Sequence, residues 1–272
     1  MIKKHAHTLP LWCFRHLSKY GDVRHFVSSR IGGVSRHPYD SLNLGFHVGD
    51  NPELVLKNRE TLAAAIDIPL GNFTLTKQVH GCGVKIITNT SQGNGAFHDD
   101  SVTVADAMIT GTPNICLTVL QADCAPLLFF DAKRRVIGAA HAGLKGTILR
   151  VAQNTVRVMQ DTFHCSPLDI AVGIGPSIGP CCYEIGHEIL GLTTKAFPDT
   201  KDIICIHTSD GKIHFNLWEA NRTQLTQMGI PDENIEIAQS CTYCNHTLFF
   251  SHRYQNKGTG RFGAGIMLNP VK

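Results

Sequence analysis

Short apolar runs separated by polar turns alternate with longer segments of helical periodicity along the chain. Nine apolar, β-branched runs predict strands, at 72–87, 102–110, 115–120, 126–131, 136–141, 168–174, 203–206, 212–215 and 234–239. Apolar residues recur at helical spacing in four segments, 51–66, 146–162, 183–196 and 216–229. The first segment begins Asn51-Pro52-Glu53, which suits a helix N-cap, an N1 proline and an acidic first turn. Strands and helices in this irregular order predict an α+β fold with mixed sheets.

No feature of the sequence marks a boundary between domains. The 272 residues contain no low-complexity segment, charge block or proline-rich linker, and the loosest stretch, 89–100, is typical of a surface loop. A chain of this size buries about 73% of its surface on folding, which is ample for one stable core. We therefore expect a single domain over residues 1–272, with residues 1–10 frayed at the terminus.

Composition and charge exclude several classes of protein. Charged residues make up 17% of the chain, below the usual share of about 25%, so the chain is not expected to be disordered. A formal net charge of +3 is too small to indicate a nucleic-acid or anionic-membrane partner. The most apolar stretch, 114–130, is interrupted by Asp123 and is shorter than a membrane span. Without an apolar leader at the terminus, the ten scattered cysteines indicate the reducing cytoplasm.

The strongest chemical signal is a predicted hairpin with a metal-ligating residue at each open end. If Phe130 pairs with Arg135 across the polar turn, Cys124 and His141 face each other with Cβ atoms about 5 Å apart. Zinc lies about 2.3 Å from a thiolate sulfur and about 2.0 Å from an imidazole nitrogen, which fits that gap. Glycine-containing turns follow both residues and allow the backbone to approach a ligand closely. A similar turn, 77–81, ends the strand run before His80.

The same residues fit other interpretations. Cys124 is also the kind of small residue that fills a core, and His141 the kind that makes a structural hydrogen bond. A thiol beside an imidazole also suits a cysteine hydrolase, with Cys124 as nucleophile and His141 as base.

Two further motifs are weak. The glycines of 173–179 have the wrong spacing for a dinucleotide fingerprint. Cys241 and Cys244 form one half of a zinc knuckle, but no second Cys-x-x-Cys exists, so we expect a buried pair and no closed four-ligand site.

Eleven short segments together resemble the YfiH-type family. The family is known by the older names laccase-domain and multicopper polyphenol oxidase, and is described as purine nucleoside phosphorylases. The segments are 30–35, 43–45, 47–50, 58–59, 78–81, 105–107, 122–126, 141–143, 175–184, 251–253 and 259–261. The resemblance runs from about residue 22 to 268. One departure is Leu144, where the family usually has tryptophan, and this puts the neighbouring pocket wall in doubt.

The resemblance implies a fold, a metal and a reaction. The implied fold is a single-domain α/β/β/α layered sandwich, and the implied zinc ligands are His80, Cys124 and His141. Three protein ligands leave the fourth zinc position open, as in catalytic sites. The implied reaction is phosphorolysis of adenosine, inosine or S-methyl-5′-thioadenosine to the free base and the (methylthio)ribose 1-phosphate. Adenosine deamination is the implied side activity.

Candidate roles for other residues follow from this chemistry. Phosphate favours arginine forks, for which Arg59, Arg253 and Arg261 are candidates in the matching segments. Arg59 is expected to lean from the edge of the 51–66 helix toward a pocket, whereas Lys57 is expected to be solvated. Deamination requires a carboxyl proton shuttle, which Asp123 or Glu184 would supply. Asn43 is a candidate to bind the ribose.

Three rival functions remain beside this one. A copper-dependent phenol oxidase would need several His-x-His pairs, but the chain has one, at 5–7, and copper at Cys/His ligands is expected to be adventitious. The others are the Cys/His hydrolase and a binding protein with structural zinc. The expected partners are small purine nucleosides and phosphate, and the expected assembly is a monomer or homodimer.

Overall fold

Two six-stranded sheets hold most of the predicted strands. The computed structural model describes residues 1–6, 9–99, 102–198, 202–206, 211–256 and 258–270. The strands are β1 (Ile2–Ala6), β2 (Leu9–Cys13), β3 (Val23–Ser28), β4 (Phe73–Thr74), β5 (Val84–Ile86), β6 (Ala107–Thr110), β7 (Cys116–Gln121), β8 (Ala125–Asp131), β9 (Val136–Ala142), β10 (Ile170–Ile174), β11 (Ile204–Ile206), β12 (Ile213–Phe215), β13 (Ile235–Ile237) and β14 (Phe262–Leu268). The α-helices are α1 (Arg15–Ser18), α2 (Pro52–Ala65), α3 (Leu144–Ile148), α4 (Val151–Phe163), α5 (His187–Ala196), α6 (Leu217–Gln227) and α7 (His252–Gln255).

Both large sheets are mixed, as the irregular order of elements predicts. Sheet 1 has the order β1-β2-β3-β14-β7-β4, in which only the β4–β7 pair is parallel. Sheet 2 has the order β13-β10-β8-β9-β6-β5, with parallel pairs at its two edges. Strands β11 and β12 form a small separate hairpin.

Alternating side chains divide the interior into three apolar layers. In β8, Leu128 and Phe130 join the core between the sheets, whereas Leu127 and Phe129 join the outer core of sheet 2. This outer core includes apolar residues of α4 and α6, and the outer core of sheet 1 includes Leu62 of α2. The implied α/β/β/α sandwich is therefore confirmed. In the part of the chain that the structure describes, no helix is long and apolar enough to cross a membrane.

The four predicted helices are present, with shifted ends. Asn51 caps α2, since its side chain accepts a hydrogen bond from the Glu53 amide at 2.8 Å. The segment 146–162 is divided between α3 and α4 by Arg150, whose φ of 69° lies in the left-handed region. The run 72–87 is likewise divided into β4 and β5 by the turn that carries His80.

The expectation of a frayed terminus is wrong for the described residues. Strand β1 pairs antiparallel with β2 from Ile2–Cys13 to Ala6–Leu9. Strand β2 in turn pairs with β3. These three strands, which the apolar runs did not predict, form half of sheet 1.

The predicted hairpin exists but its register differs by two residues. Asp131 pairs with Val136, and Pro126 lies opposite His141. The turn has the predicted length but begins one residue later, at 132–135, where Asp131 accepts hydrogen bonds from the Lys133 and Arg134 amides, both at 2.9 Å. Cys124 thus lies just outside the ladder and does not pair with His141. A shift of two residues keeps every side chain on the same face, so the two residues still meet.

Candidate metal centre and its cavity

Three metal-ligating side chains converge where the central strands β8 and β9 of sheet 2 begin and end, respectively. Cys124 immediately precedes β8, His141 is near the end of β9, and His80 lies in the turn between β4 and β5. One ligand atom from each side chain lies within 4.8 Å of the other two. The rings of His80 and His141 have centroids 4.9 Å apart and are nearly perpendicular. The structure therefore brings together the three residues that the resemblance implies as ligands.

A buried aspartate orients two of these residues. Asp106, fully buried just before β6, accepts hydrogen bonds from the backbone amides of Val79, His80 and Gly81 at 3.2, 2.9 and 2.7 Å. Its Oδ1 also lies 3.0 Å from Nδ1 of His141. Because Nδ1 is engaged, Nε2 is the nitrogen of His141 left for a metal. A carboxylate on the second nitrogen is the usual partner of a metal-bound histidine.

The backbone around the centre allows close approach. Asp123 and His80 have φ values of 84° and 58°, in the left-handed region that non-glycine residues seldom adopt. A Cβ at Gly143 would lie 2.8 Å from Sγ of Cys124 and 3.1 Å from Cδ2 of His80. A side chain at position 143 would therefore crowd Cys124 and His80, whereas glycine leaves room for both.

The electrostatics of the centre favour a thiolate. Burial raises the pKa of Cys124, but the charge and hydrogen bonds of His141, with those of His80, outweigh it and lower this pKa to about 6. Burial lowers the pKa of His141, but the Cys124 thiolate and Asp106 raise it to about 9. Burial also raises the pKa of Asp106, yet hydrogen bonds from His141 and Gly81 leave it below its usual value. A thiolate and two imidazoles are a donor set that zinc accepts.

A cavity of about 640 Å³ opens over the centre. This volume is within the range of about 300–1,000 Å³ that small-molecule sites occupy. Its lining includes His80, Cys124 and His141. The other lining residues are His47, Gln78, Leu120, Gln121, Ala122, Asp123, Leu144, Lys145, Ile178, Tyr183, His252, Arg253 and Arg261.

Asp123 lies in this cavity with both carboxylate oxygens engaged. Oδ1 accepts a hydrogen bond from Oγ1 of Thr242 at 2.6 Å, and Oδ2 accepts one from the Arg253 amide at 2.7 Å. Asp123 thus joins Thr242 and the backbone of Arg253 beside Cys124, and its role as proton shuttle stays a prediction.

Two of the three predicted arginines line the cavity. The Arg253 guanidinium donates to the Glu184 carbonyl at 3.1 and 3.2 Å and lies 5.3 Å from the centre of the Tyr183 ring. Nη1 of Arg261 donates to the Thr259 and Gly260 carbonyls at 2.9 and 3.0 Å. Since a guanidinium has five N–H donors, these bonds leave further donors on both arginines for an anion.

Arg59, the third predicted arginine, does not lean toward the cavity as expected. Arg59 is 3% exposed and does not line the cavity. It donates to the carbonyls of Leu44 and Ala96 at 2.8 and 2.9 Å and also to that of Gly95. Burial lowers its pKa to about 10. Arg59 therefore fastens two loops to α2, whereas Lys57 is exposed as expected.

Asn43 and Glu184 also lie outside the cavity lining. Asn43 is fully buried, and its side chain bonds to Gly45, Asp50 and the Arg261 amide. It therefore holds loops together and does not line the cavity. The Glu184 carboxylate is exposed and lies 2.9 Å from Nζ of Lys212, so it does not supply the predicted shuttle.

Sequence reasoning gave no role to Asp106. The signal available was one acidic residue between two alanines, just before an apolar strand, in a segment that contributed only to the resemblance. Leu144, the departure from the family's usual tryptophan, begins α3 and does line the cavity.

Comparisons with known proteins show the family to which the chain belongs. The sequence model of a family described as multi-copper polyphenol oxidoreductase laccase matches residues 24–269. Purine nucleoside phosphorylase YlmD of Geobacillus stearothermophilus is 37% identical over 88% of each chain. Adenosine deaminase RL5, from an unknown prokaryotic organism, is 32% identical over 90% of this chain and 93% of its own. The crystal structure of the hypothetical protein YfiH from Bacillus licheniformis superposes with a TM-score of 0.89, at 32% identity and 96% coverage of both chains. The chain belongs to this YfiH and YlmD family.

Proposed function

We propose that the chain is a zinc-dependent purine nucleoside phosphorylase. It would cleave adenosine, inosine or S-methyl-5′-thioadenosine with inorganic phosphate, releasing the free base and the (methylthio)ribose 1-phosphate. The observation that carries the proposal is one cavity that contains both the His80, Cys124 and His141 donors and the guanidinium groups of Arg253 and Arg261. A relative 37% identical to this chain is named a purine nucleoside phosphorylase.

The proposed zinc ligands are Sγ of Cys124 and one ring nitrogen each of His80 and His141. When bound, the ion supplies a Lewis acid beside the substrate. Asp106 holds the His141 ring and the backbone of the 79–81 turn in place through the hydrogen bonds described above. The side chains therefore need no rearrangement of the surrounding backbone to receive the ion.

The proposed phosphate site is the cationic part of the cavity. Lys145, Arg253 and Arg261 carry permanent positive charges there, against the single carboxylate of Asp123. A cavity with an excess of one charge sign attracts ligands of the other sign. Asp123 fixes the backbone of Arg253, and the Glu184 carbonyl fixes its guanidinium, so the donors left free are held toward the cavity.

A second activity, adenosine deamination, has a separate support. A relative 32% identical to this chain is named an adenosine deaminase. The same centre would serve this reaction, and inosine formation would reveal it in the same assay.

The metal centre favours this proposal over a phenol oxidase. In the described ranges, metal-ligating side chains form two groups: His80, Cys124 and His141, with two histidines, and Cys181, Cys182, Cys241 and Cys244, with none. A multicopper cluster needs more imidazoles than either group has. His7, half of the single His-x-His pair, lies outside the described residues.

The test is product analysis with and without phosphate. We expect free base and ribose 1-phosphate from adenosine or inosine only when phosphate is present. Arg253→Ala should raise the KM for phosphate by about tenfold or more, because a hydrogen bond to a charged group contributes about 1.5–3 kcal/mol. Arg157→Ala, at an exposed arginine of α4 away from the cavity, is the matched control. Equal base release in phosphate-free buffer would show a hydrolase and contradict the proposal.

A further inference from the structure

Four cysteines lie together outside the cavity described above. Cys181 and Cys182 belong to the loop after β10, and Cys241 and Cys244 belong to the loop after β13. Their four Sγ atoms all lie within 4.8 Å of one another. From a single Cys-x-x-Cys, the sequence predicts a buried pair and no closed four-ligand site. The structure places the adjacent pair Cys181-Cys182 beside that motif, and Cys244 is exposed, so the two cysteines of the motif are not an isolated buried pair.

The separations of the sulfur atoms match a tetrahedral metal site. Sγ of Cys244 lies 3.7 Å from that of Cys181 and 3.4 Å from that of Cys182. In a zinc tetrathiolate with bonds of about 2.3 Å, tetrahedral geometry places neighbouring sulfurs about 3.8 Å apart. Both separations are slightly shorter than that value. The four thiols are free of disulfide bonds.

The fold positions the two loops before any metal binds. Strands β10 and β13 are parallel neighbours, so their carboxyl ends emerge at the same edge of sheet 2. The pairing continues past the strands as a parallel bridge between Ser177 and Cys241, with the Thr242 amide donating to the Ser177 carbonyl at 3.0 Å. A turn in which the Cys182 amide donates to the Gly179 carbonyl at 3.0 Å then brings the adjacent pair back toward Cys241.

The buried member of the cluster has the surroundings of a thiolate. Cys241 is 5% exposed, and its Sγ accepts a hydrogen bond from the Gly179 amide at 3.3 Å. Backbone donors directed at a sulfur stabilise its charged form, which is the form that binds metal. Cys181 and Cys244 are exposed, so the cluster is open to an ion from solvent.

The cluster adjoins the wall of the candidate active-site cavity. Tyr183, next to Cys182, and Ile178 of the same loop both line the cavity. On the other loop, Thr242 follows Cys241 and donates to the Asp123 carboxylate at 2.6 Å. An ion at the cluster would therefore tie together the two loops that place Tyr183, Asp123 and, through Asp123, Arg253.

We propose that Cys181, Cys182, Cys241 and Cys244 bind one divalent metal ion of the zinc class. Four thiolates with no open position define a structural site, in contrast to the three-ligand centre in the cavity. Binding releases the thiol protons to solvent and involves no oxidation or reduction.

The first test is the zinc content of the full chain. Wild-type protein, loaded with zinc and passed over a desalting column, should retain two zinc ions per chain. Cys244→Ser and Cys241→Ser should each retain one, and so should Cys124→Ala, which removes a ligand from the other centre. Cys244→Ser combined with Cys124→Ala should retain none. The matched control is Cys82→Ser, at a part-exposed cysteine outside both groups, which should retain two.

A second test needs no variant and so does not depend on folding of the mutants. Alkylation of the native wild-type protein, followed by peptide mass spectrometry, should show Cys181 and Cys244 protected by zinc and reactive after chelation. Cobalt substitution of the Cys124→Ala variant should give a strong thiolate-to-cobalt charge-transfer band, absent from the same variant with Cys244→Ser.

Two results would overturn the proposal. One is the same zinc content in Cys244→Ser and wild type, with alkylation of Cys181 and Cys244 unaffected by zinc. The other is a disulfide between the two loops in protein purified under reducing conditions.

Discussion

At the scale of single residues, the candidate centre depends most on a side chain that would not touch the metal. Asp106 accepts hydrogen bonds from three backbone amides of the 79–81 turn, and its Oδ1 lies within hydrogen-bond distance of Nδ1 of His141. All four distances are 3.2 Å or less. One carboxylate thus fixes the position of His80 and the orientation of His141. Burial of an ionised carboxylate is costly unless it is fully hydrogen-bonded, and here it is.

The change Asp106→Asn tests this role. Asparagine keeps the shape of the side chain, but its NH₂ group cannot accept hydrogen bonds from the amides of Val79 and Gly81. The negative charge beside His141 is also lost. We expect zinc affinity at the three-ligand centre to fall about 10- to 100-fold, as for other residues that orient metal ligands. Competition with a chromophoric chelator measures this directly, in a Cys244→Ser background that isolates the centre.

The control for this variant is Asp131→Asn. Asp131 is equally buried and caps the β8–β9 turn, far along the strand from the centre. Its substitution should lower stability but leave zinc affinity unchanged. Equal zinc affinities for Asp106→Asn and wild type would show that the carboxylate is not needed to orient the ligands.

At the scale of elements, hydrophobic pattern predicted sheet 2 well and sheet 1 poorly. Strands β8, β9 and β10 are continuous buried runs composed mainly of apolar residues, which the sequence shows directly. Strand β14 contains Gly263 and Gly265, which weaken a strand pattern. A Cβ at Gly265 would lie 2.6 Å from the ring of Phe26, its cross-strand partner on β3, so this glycine makes room for an aromatic residue far along the chain. Contacts of that kind are invisible to local pattern.

The candidate site also contains residues whose positions the sequence pattern predicted and residues whose positions it did not predict. The structure brings Cys124, His141 and His80 together, and the sequence pattern had placed all three at strand ends or in the 77–81 turn. Arg59 and Asn43 also lie in segments that resemble the family. Their side chains nevertheless bond to the backbone of distant loops, Arg59 to a carbonyl and Asn43 to an amide. The adjacent cysteines at 181–182 meet Cys241 only through the parallel pairing of β10 and β13, which the sequence did not predict.

The junction between β9 and α3 offers a prediction at this scale. Gly143 has φ −80° and ψ 176°, which alanine also adopts, so Gly143→Ala introduces no backbone strain. Its Cβ would nevertheless lie 2.8 Å from Sγ of Cys124. Overpacking of this kind costs about 1–3 kcal/mol, so we expect zinc to bind roughly 5- to 150-fold more weakly.

Gly71→Ala is the matched control, since a Cβ there meets no atom within 4 Å. Isothermal titration of both variants with zinc, in the Cys244→Ser background, measures the difference. Wild-type affinity in Gly143→Ala would show that the strand–helix junction has room which the structure does not show.

At the scale of the whole molecule, the centre lies where the chain crosses from one sheet to the other. The crossover from β7 in sheet 1 to β8 in sheet 2 carries Asp123 and Cys124. The crossover from β4 to β5 carries His80, and Arg261 directly precedes β14 of sheet 1. The cavity is thus built from both halves of the sandwich, and its ligands come together only when the sheets have packed.

Metal binding at this place should stabilise the entire fold. An ion that binds only the folded chain raises the free energy of unfolding by about 2.7 kcal/mol when its free concentration is 100 times its Kd. For a chain of this size, each kcal/mol shifts Tm by about 2–4 °C, so the centre should contribute roughly 5–11 °C. In the Cys244→Ser background, thermal unfolding with and without buffered zinc should show this shift. Cys124→Ala should abolish the shift, whereas Cys165→Ala, at a buried cysteine outside both metal-ligating groups, should retain it. A zinc-dependent shift of the same size in Cys124→Ala would mean that the stabilising ion binds elsewhere and that the crossovers are not joined by metal.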